Sequence, residues 1–470
     1  MLTLSVEKFV QITGAELLAG PSSAIVNGLA IDTRDLTPGG VFVAFPGEHA
    51  DGHAFLDEAL MHGARALVVT NPAADVAPIF ARAAERDAAV LRVNDALATV
   101  QALAAYHRSR LNCPVVGVTG STGKTTTKDF LASVLGRTAR VICTQGNRNN
   151  ELGVPLTIFD AGPNTEILIV EMGMRGTGQI AALCEIAKPT IGLVTNIGMS
   201  HVELLGSPER VAEAKAELVS AVPASGAVFL NGDDVYSDRL AAQAVAPVTY
   251  YGLNVNCDIC AGDIELDAES RASFALATAG ESIDVTLPVP GRHNVYNALA
   301  AAAVALYLET PLAVIADGLA SAEVSAMRME MFTVASGITI INDAYNANPV
   351  SMRAAIETLV DHEAVGKRIA VLGDMAELGS LSELAHFRIG EEVARLGIDV
   401  LVTVGDRAKR IADGAKADGM DPAAIRPCVS AEEASEVLDD VLAPGDVVLV
   451  KASRVMGLER VVEGIVTPRA

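Results

Sequence analysis

The chain has 470 residues, of which half are apolar and a fifth charged, a composition that supports several buried cores and excludes long intrinsic disorder. Acidic residues outnumber basic ones by 58 to 35, and the net charge of −23 at pH 7 argues against nucleic acids and anionic membranes as main partners. Because no secretion signal, membrane-spanning run or disulfide framework is visible, we expect a cytoplasmic enzyme.

Three blocks follow one another along the chain, and the first extends over residues 1–110. Short β-type runs such as 41–45 precede a clear helical pattern over 55–62, which leads into an apolar strand over 66–70. An alanine-rich helix over 96–111 closes the block. This mixture predicts a small domain that contains both strands and helices.

The second block, residues 111–312, alternates strands with helices. Buried-type strands are predicted over 115–119, 167–170 and 191–195, and the helix over 207–222 begins with a serine followed by a proline. This alternation indicates a parallel sheet that is covered on both faces. A more β-rich segment and an alanine-rich helix complete the block.

The third block, residues 313–470, repeats the alternation of strands and helices. Its strands are predicted over 338–341, 369–372, 400–404 and 447–450, and each is separated from the next by a helical pattern. We therefore predict a second α/β domain at the C-terminal end of the chain.

A glycine-rich turn joins the strand over 115–119 to the helix that follows, and it predicts a phosphate-binding loop. The turn reads Gly-Ser-Thr-Gly-Lys-Thr-Thr over residues 120–126. Glycines let backbone amides converge on phosphate oxygens, the lysine neutralises their charge, and the hydroxyl after the lysine can ligate Mg²⁺. Val118 stands where the strict motif has its first glycine, so this is a shortened variant. The alternative interpretation is a turn with a purely structural role.

Two candidate metal ligands follow strands of the second block. Glu171 comes directly after the strand over 167–170, and His201 follows the strand over 191–195. Ligands of parallel sheets bind at the carboxyl ends of strands, and Mg²⁺ prefers carboxylate oxygens. The alternative for Glu171 is a solvated acid at a strand end. The alternative for His201 is an ordinary loop or core histidine.

Lys215 is predicted to point inward from its helix. It lies on the apolar stripe of the helix over 207–222, four residues after Val211 and three before Leu218. An ammonium group there costs free energy unless it is paired. Either the side chain extends along the surface until the ammonium reaches water, or it faces a site; periodicity alone favours neither.

These residues are part of a larger set of motifs, through which the chain resembles the Mur ligase family over nearly its whole length. The phosphate loop, His201 and Lys215 are shared by that family and by folylpolyglutamate synthases, so they indicate the chemistry rather than the substrate. Two strings, over residues 343–349 and 373–379, resemble the branch that adds D-alanyl-D-alanine. Ala452 departs from the family pattern, which has glycine there. The other matching segments are residues 32–34, 38–44, 51–53, 144–150, 171–173, 291–298 and 451–454.

The resemblance implies an α/β fold of three domains. Residues 1–110 would form a smaller mixed N-terminal domain that binds the UDP-substrate. Residues 111–312 would form a central ATPase domain, with a P-loop mononucleotide-binding parallel sheet. Residues 313–470 would form a Rossmann-like C-terminal domain that binds the incoming dipeptide.

The resemblance also implies an ATP-dependent amide ligase. It would join D-Ala-D-Ala to UDP-N-acetylmuramoyl-tripeptide through an acyl phosphate, in the synthesis of peptidoglycan precursors. We expect a cytoplasmic monomer that binds no nucleic acid and does not insert into membranes. Two alternatives remain: a ligase of the same superfamily that adds glutamate to a folate or another residue to the muropeptide, and a non-catalytic nucleotide-binding protein.

The cofactors implied by the resemblance are ATP, two Mg²⁺ ions and a carbamylated Lys215, whose modification converts a cation into a carboxylate. The implied catalytic residues are Lys124, Lys215 and His201. The alternative for the asparagine-rich run over 147–150 is a simple turn. The implied nucleotide contacts are Gly120, Ser121, Thr122, Gly123, Lys124, Thr125, Thr126, Asn294, Asn297, Arg328 and Asp343; the metal ligands are Thr125, Glu171, His201 and Lys215; the substrate contacts are Thr33, Arg34, Asn149, Asn150, Tyr345, Asn346, Ser453 and Arg454.

Overall fold

The computed structural model describes residues 2–47, 50–198 and 202–467. The chain divides into two compact units. The first comprises Met1–Gly117, Arg140–Met172 and Ala181–Thr190, and the second comprises Val118–Ala139, Gly173–Ile180 and Ile191–Ala470. Within the described ranges, no helix combines the length and the apolar character needed to cross a membrane.

A mixed five-stranded sheet organises the N-terminal part of the first unit. The elements are β1 (Thr3–Ser5), α1 (Val6–Thr13), β2 (Glu16–Ala19), β3 (Ile25–Asn27), β4 (Leu29–Ala30), β5 (Val41–Val43), α2 (Leu56–Met61), β6 (Ala66–Val69), α3 (Ala73–Glu85), β7 (Ala89–Arg92) and α4 (Ala96–Arg108). The sheet order is β2-β7-β6-β5-β4, and only the β2–β7 pair is antiparallel. β1 and β3 pair separately. Phe42, Leu67 and Leu91 are buried on this sheet, as the apolar pattern predicts.

A nine-stranded sheet forms the centre of the chain. Its elements are β8 (Val115–Thr119), α5 (Lys124–Leu135), β9 (Val141–Cys143), α6 (Gly153–Asp160), β10 (Ile167–Glu171), α7 (Gln179–Ala187), β11 (Ile191–Val194), α8 (Val202–Leu205), α9 (Pro208–Ala221), β12 (Ala227–Asn231), α10 (Ser237–Ala241), β13 (Val248–Gly252), β14 (Ile259–Leu266), β15 (Arg271–Ala277), β16 (Ser282–Pro290), α11 (Asn294–Tyr307) and α12 (Leu312–Ala320). The order is β16-β15-β14-β13-β12-β11-β8-β10-β9. β9–β10 and β11 to β14 pair in parallel, whereas β14, β15 and β16 pair antiparallel and form the predicted β-rich segment.

The C-terminal part is a six-stranded sheet with helices on both faces. Its elements are β17 (Glu330–Thr333), β18 (Thr339–Asn342), α13 (Pro349–Asp361), β19 (Arg368–Gly373), α14 (Ser382–Arg395), β20 (Val400–Val404), α15 (Lys409–Ala417), β21 (Ile425–Cys428), α16 (Ala431–Val441), β22 (Val447–Lys451) and α17 (Glu459–Val466). The order is β17-β18-β22-β19-β20-β21, and all pairs except β17–β18 are parallel. One core packs against α13, α14 and α15, and the other against α16 and α17. This is the α/β domain that the pattern predicts, in the Rossmann-like arrangement that the family resemblance implies.

The predicted elements are present with small shifts at their ends. The helix predicted over 55–62 spans Leu56–Met61, because residues Gly52–Phe55 form a separate 3-10 turn capped by the Asp51 carboxylate. The alanine-rich helix ends at Arg108 rather than 111, and the Arg108 guanidinium donates to the Leu111 and Ala187 carbonyls. These differences lie at termini, where local pattern is weakest.

Candidate functional site

The turn between β8 and α5 requires glycine at two positions. Gly120 and Gly123 have φ values of 150° and 77°, which side chains rarely adopt. A Cβ atom on Gly120 would lie 1.8 Å from Thr195 Oγ1, and one on Gly123 would lie 2.3 Å from Asn297 Oδ1. Neighbouring elements therefore approach this loop so closely that only glycine fits.

Two residues after β11 hold the loop in place. Thr122 N donates to Asn196 Oδ1 at 3.0 Å, and Asn196 Nδ2 donates to Thr122 Oγ1 at 2.8 Å. Thr195 Oγ1 donates to the Thr122 carbonyl at 2.5 Å. Sequence reasoning did not single out Thr195 and Asn196. Their position at a strand end is a weak signal that could have indicated them.

The positive charge of the loop comes from Lys124, the first residue of α5. Its Nζ donates to the Gly120 carbonyl at 2.7 Å, so the ammonium folds back over the loop. The start of the helix adds backbone N–H groups and the positive end of the helix dipole. The loop therefore combines the charge and the backbone geometry that bind a phosphate group.

Asn294 and Asn297, the predicted nucleotide contacts on α11, form a buried hydrogen-bonded chain next to the loop. Asn297 Oδ1 accepts from Thr127 Oγ1 at 3.2 Å, and Asn297 Nδ2 donates to Asn294 Oδ1 at 2.9 Å. Asn294 Nδ2 donates to the Pro290 carbonyl at 2.7 Å. Both side chains are buried. These hydrogen bonds link α11 to α5 and fix the spacing of the two helices at the loop.

Lys215, on α9, is completely enclosed. Its side chain is 2% exposed, so the alternative in which the ammonium reaches water is excluded. Burial, and secondarily the positive charge of Lys124, hold the pKa of Lys215 well below its usual value. No carboxylate of residues 2–47, 50–198 and 202–467 forms an ion pair with it. The surroundings therefore favour a neutral amine over an ammonium.

Glu171 is the last residue of β10, in the first unit. It is 2% exposed, which excludes the solvated alternative. Its Oε1 accepts from Asn149 Nδ2 at 2.7 Å, and its backbone N donates to Thr144 Oγ1 at 2.9 Å. Asn150 does not contact Glu171 in this way; its Oδ1 accepts a hydrogen bond from Gly153 N at the start of α6. This bond is a turn-type capping interaction, the structural alternative for the asparagine-rich run.

The remaining metal prediction, His201, lies outside the described residues. Over the described ranges, no three histidine, cysteine or acidic side chains form a group that could hold a metal ion. A magnesium site here would therefore depend on single carboxylate and hydroxyl oxygens completed by phosphate, which is common for Mg²⁺.

The predicted ribose contact, Asp343, follows β18 and pairs with a buried lysine. Lys451, at the end of β22, is 1% exposed; its Nζ donates to Asp343 Oδ2 at 2.5 Å and to the Asn346 carbonyl at 2.8 Å. Asp343 Oδ1 accepts from Met329 N at 3.2 Å. Lys451 was part of a matching motif but had no assigned role; its inward position becomes evident only in the sheet.

Arg328 is presented by a strained segment. The residues on either side, Met327 and Met329, have φ values of 59° and 55°, in the left-handed region. The Arg328 guanidinium lies 4.1 Å from the centre of the Tyr345 ring, within cation–π distance. The structure thus brings a predicted nucleotide contact and a predicted dipeptide contact together.

The predicted dipeptide contacts at the end of the last strand differ in exposure. Ser453 is 3% exposed; its Oγ accepts from Ala376 N at 2.8 Å and donates to the Ala347 carbonyl at 3.4 Å. Arg454 is exposed and pairs with Glu459 at 2.9 Å. Ala452 has no left-handed backbone and is buried, so glycine is not required there.

The predicted UDP-substrate contacts lie in the first unit. Thr33 is buried, and its Oγ1 donates to Glu58 Oε1 at 2.5 Å. Arg34 is exposed and pairs with Asp32, which lowers the pKa of the Asp32 carboxyl to about 2. The first side chain supports the local fold, and the second is held in an exposed ion pair.

Comparison with known proteins identifies the family to which three parts of the chain are similar. A model of the Mur ligase middle domain matches residues 118–305, a model named Mur ligase, glutamate ligase domain, matches 327–454, and a model named Mur ligase family, catalytic domain, matches 25–106. The chain is 39% identical to the UDP-N-acetylmuramoyl-tripeptide–D-alanyl-D-alanine ligase of Mycobacterium bovis, with 99% of this chain and 98% of that protein covered.

Solved structures give the same result. The fold is similar to MurF from Acinetobacter baumannii, with a TM-score of 0.86, 28% identity and 99% of both chains covered. It is also similar to MurF ligase from Thermotoga maritima in complex with ADP, with a TM-score of 0.75, 28% identity, and 93% and 96% of the two chains covered.

Proposed function

The chain belongs to the Mur ligase family, and on this basis we propose that it joins D-alanyl-D-alanine to UDP-N-acetylmuramoyl-tripeptide at the expense of ATP. The observation that carries the proposal is the likeness to a ligase of that name over almost the whole of both chains. The glycine turn with Lys124, and the buried Lys215 in the same unit, support it because they suit phosphoryl transfer.

The proposed reaction activates a carboxylate before an amine attacks it. The γ-phosphoryl group of ATP passes to the terminal carboxylate of the tripeptide, giving an acyl phosphate and ADP. The amine of D-Ala-D-Ala then attacks the acyl carbon, a tetrahedral intermediate forms, and phosphate leaves as the amide bond forms and the amine loses a proton. Lys124 and the backbone N–H groups of residues 120–126 would stabilise charge on the transferring group, so positioning and electrostatics supply most of the catalysis.

The residues present suit the implied magnesium ions by their chemistry. We propose Thr125 and Glu171 as ligands of one Mg²⁺ ion, and His201 and carbamylated Lys215 as ligands of the second. Magnesium supplies neutralisation of phosphate charge when bound. A carbamate on Lys215 would replace a cation that burial disfavours with an oxygen donor that Mg²⁺ prefers.

The remaining predicted contacts stay part of the proposal. Residues 1–110 would bind the UDP-substrate, with Thr33, Arg34, Asn149 and Asn150 as contacts. Residues 111–312 would hold ATP and residues 313–470 the dipeptide. We also propose a cytoplasmic monomer. The nucleotide contacts would be Gly120 to Thr126, Asn294, Asn297, Arg328 and Asp343, and the dipeptide contacts Tyr345, Asn346, Ser453 and Arg454.

The test is an ATP-dependent joining assay with mass detection of the product. UDP-N-acetylmuramoyl-tripeptides that carry lysine or diaminopimelate are offered with D-Ala-D-Ala, or with L-glutamate. We expect product only with the dipeptide, and loss of turnover in Lys124→Ala. The matched control is Lys416→Ala, an exposed lysine of the same unit, which should retain activity. Selective use of L-glutamate would support the related ligase instead, and an active Lys124→Ala variant would contradict phosphoryl transfer at this loop.

A further inference from the structure

His386 is a fully buried histidine that the proposed mechanism does not use. It lies on α14 and is 0% exposed. Its Nε2 accepts a hydrogen bond from Met375 N at 2.9 Å, and its Nδ1 donates to the Ser382 carbonyl at 2.7 Å. One ring nitrogen therefore accepts and the other carries the proton, so these partners define a neutral imidazole in one tautomer.

The backbone that His386 holds belongs to the segment after β19. On either side of Met375, this segment bonds to Ser453: Ser453 N donates to the Asp374 carbonyl at 3.0 Å, and Ala376 N donates to Ser453 Oγ at 2.8 Å. The imidazole therefore fixes the central residue of the stretch 374–376, and both ends of this stretch are hydrogen-bonded to Ser453.

Ser453 connects this segment to the loop after β18. Its hydroxyl also donates to the Ala347 carbonyl at 3.4 Å. Because β18, β22 and β19 are neighbours in the sheet, the loops at their carboxyl ends lie side by side. Such a position is where parallel sheets bind ligands. The contacts define one connected set of loops, which we call the acceptor loops: residues 343–349, 374–378 and 451–454.

The segment held by His386 is strained. Glu377 has a φ of 61°, in the left-handed region, and its carbonyl accepts from Glu203 N at 3.2 Å. A strained residue keeps its conformation only where surrounding contacts define it. Met375 and Leu378 anchor the segment through buried side chains, whereas His386 fixes its backbone.

We propose that His386 is a positioning residue for the incoming dipeptide. As a neutral imidazole, it holds Met375 N, keeps residues 374–376 against Ser453, and so maintains the acceptor loops in the shape that receives D-Ala-D-Ala. The proposal rests on the proposed function and deepens it, because it assigns to the acceptor side of the reaction a residue that touches no substrate.

Three substitutions at this position separate the two hydrogen bonds. His386→Gln places an amide oxygen near the position of Nε2 and can still accept from Met375 N. His386→Asn places its amide near Nδ1, so it can bond the Ser382 carbonyl but does not reach Met375 N. His386→Leu keeps the volume and removes both bonds. The matched control is His107→Leu, which removes another buried histidine, bonded to the Ala161 carbonyl.

The measurement is KM for each substrate in the joining assay, with thermal unfolding recorded for every variant. We expect KM for D-Ala-D-Ala to rise roughly tenfold or more in the leucine and asparagine variants, because a buried N–H loses its acceptor. KM for ATP should rise less, because only one of its proposed contacts, Asp343, lies in the acceptor loops. The glutamine variant should lie close to the unmodified enzyme, and His107→Leu should lower stability without raising KM for the dipeptide.

The outcomes distinguish this proposal from the proposed function. If the unmodified chain does not turn over D-Ala-D-Ala, both are overturned. If it does, wild-type KM values in His386→Asn, or equal impairment of the glutamine and asparagine variants, overturn the positioning role alone. A uniform rise of all KM values would also overturn it. Should the leucine variant fail to fold, the asparagine and glutamine pair decides the question.

Discussion

Burial determines the chemistry available to Lys215. At neutral pH an exposed lysine is protonated and does not react with carbon dioxide, whereas a lowered pKa provides the free amine that carbamylation needs. Burial and the charge of Lys124 lower the pKa of Lys215. Burial thus supplies the neutral amine, and the proposed Mg²⁺ ion would supply the positive charge that stabilises the proposed carbamate.

Replacing Lys215 tests this directly. Lys215→Ala should lower turnover by about 100-fold or more, the usual cost of removing a group that stabilises charge in the transition state. Added bicarbonate or a short carboxylate should restore part of the activity by supplying the missing anion. The measurement is the rate of phosphate release, with Lys416→Ala as the control. A fully active alanine variant would refute the role.

His293, which precedes α11, predicts a pH dependence of stability. Burial, offset in part by Asp343, lowers its pKa to about 4 from an ordinary value of 6.5, although part of the residue still reaches solvent. Between these values the unfolded chain binds the proton and the folded chain does not. This contribution to the free energy of unfolding, at most about 3 kcal/mol, is therefore constant above pH 6.5 and lost as the pH falls towards 4.

Urea unfolding at pH 7.5 and pH 5 measures this effect. The loss of stability between the two pH values should be smaller in His293→Leu than in the unmodified chain, because the variant has no imidazole to titrate. The other buried histidines act equally in both proteins and cancel in the difference. An identical pH dependence in the two proteins would show that folding does not lower the pKa of His293.

At the scale of elements, the phosphate loop depends on the packing of α5 against α11. Gly123 adopts a left-handed backbone and faces Asn297 Oδ1 so closely that a methyl group has no room. The loop is therefore shaped by a helix that begins about 170 residues later in the chain, at Asn294. Local glycine flexibility alone does not fix it.

Gly123→Ala should therefore raise KM for ATP at least tenfold, since the new Cβ displaces Asn297 or the loop. The matched control is Gly397→Ala, which has a φ of 71° but nothing within 4 Å of the new Cβ. That variant should lose about 1 kcal/mol of stability from backbone strain and keep its KM for ATP. Equal KM values in both alanine variants would contradict the packing argument.

At the scale of the whole molecule, the proposed reaction uses three substrates, and we propose that each is bound by a different domain. Residues 313–470 should close as a rigid body over the other two domains, because the acyl phosphate must be kept from water. Small-angle scattering should show a smaller radius of gyration when an ATP analogue and the UDP-substrate are added together. In Lys124→Ala the radius of gyration should decrease less, because this variant has lost a proposed contact to ATP. An unchanged radius in the unmodified chain would count against closure.

The sequence by itself determined the order of elements, the glycine-rich turn over 120–126 and the family. Strands such as Val115–Thr119 and Val400–Val404 were predictable because burial on both faces of a parallel sheet leaves a continuous apolar run. Likewise, Lys215 was predicted to point inward because helical periodicity is a local property. The matching motifs identified the family because each is a contiguous string of residues.

Only the tertiary structure decided how distant residues support these motifs. Thr195 and Asn196 bind the phosphate loop, Lys451 pairs with Asp343, and His386 holds Met375 through contacts that no local pattern contains. The structure also decided that Lys215 and Glu171 are buried rather than solvated. The physical reason is that periodicity fixes which face of an element is apolar, whereas the partner of a buried polar group is fixed only when sheets and helices from separate parts of the chain pack together.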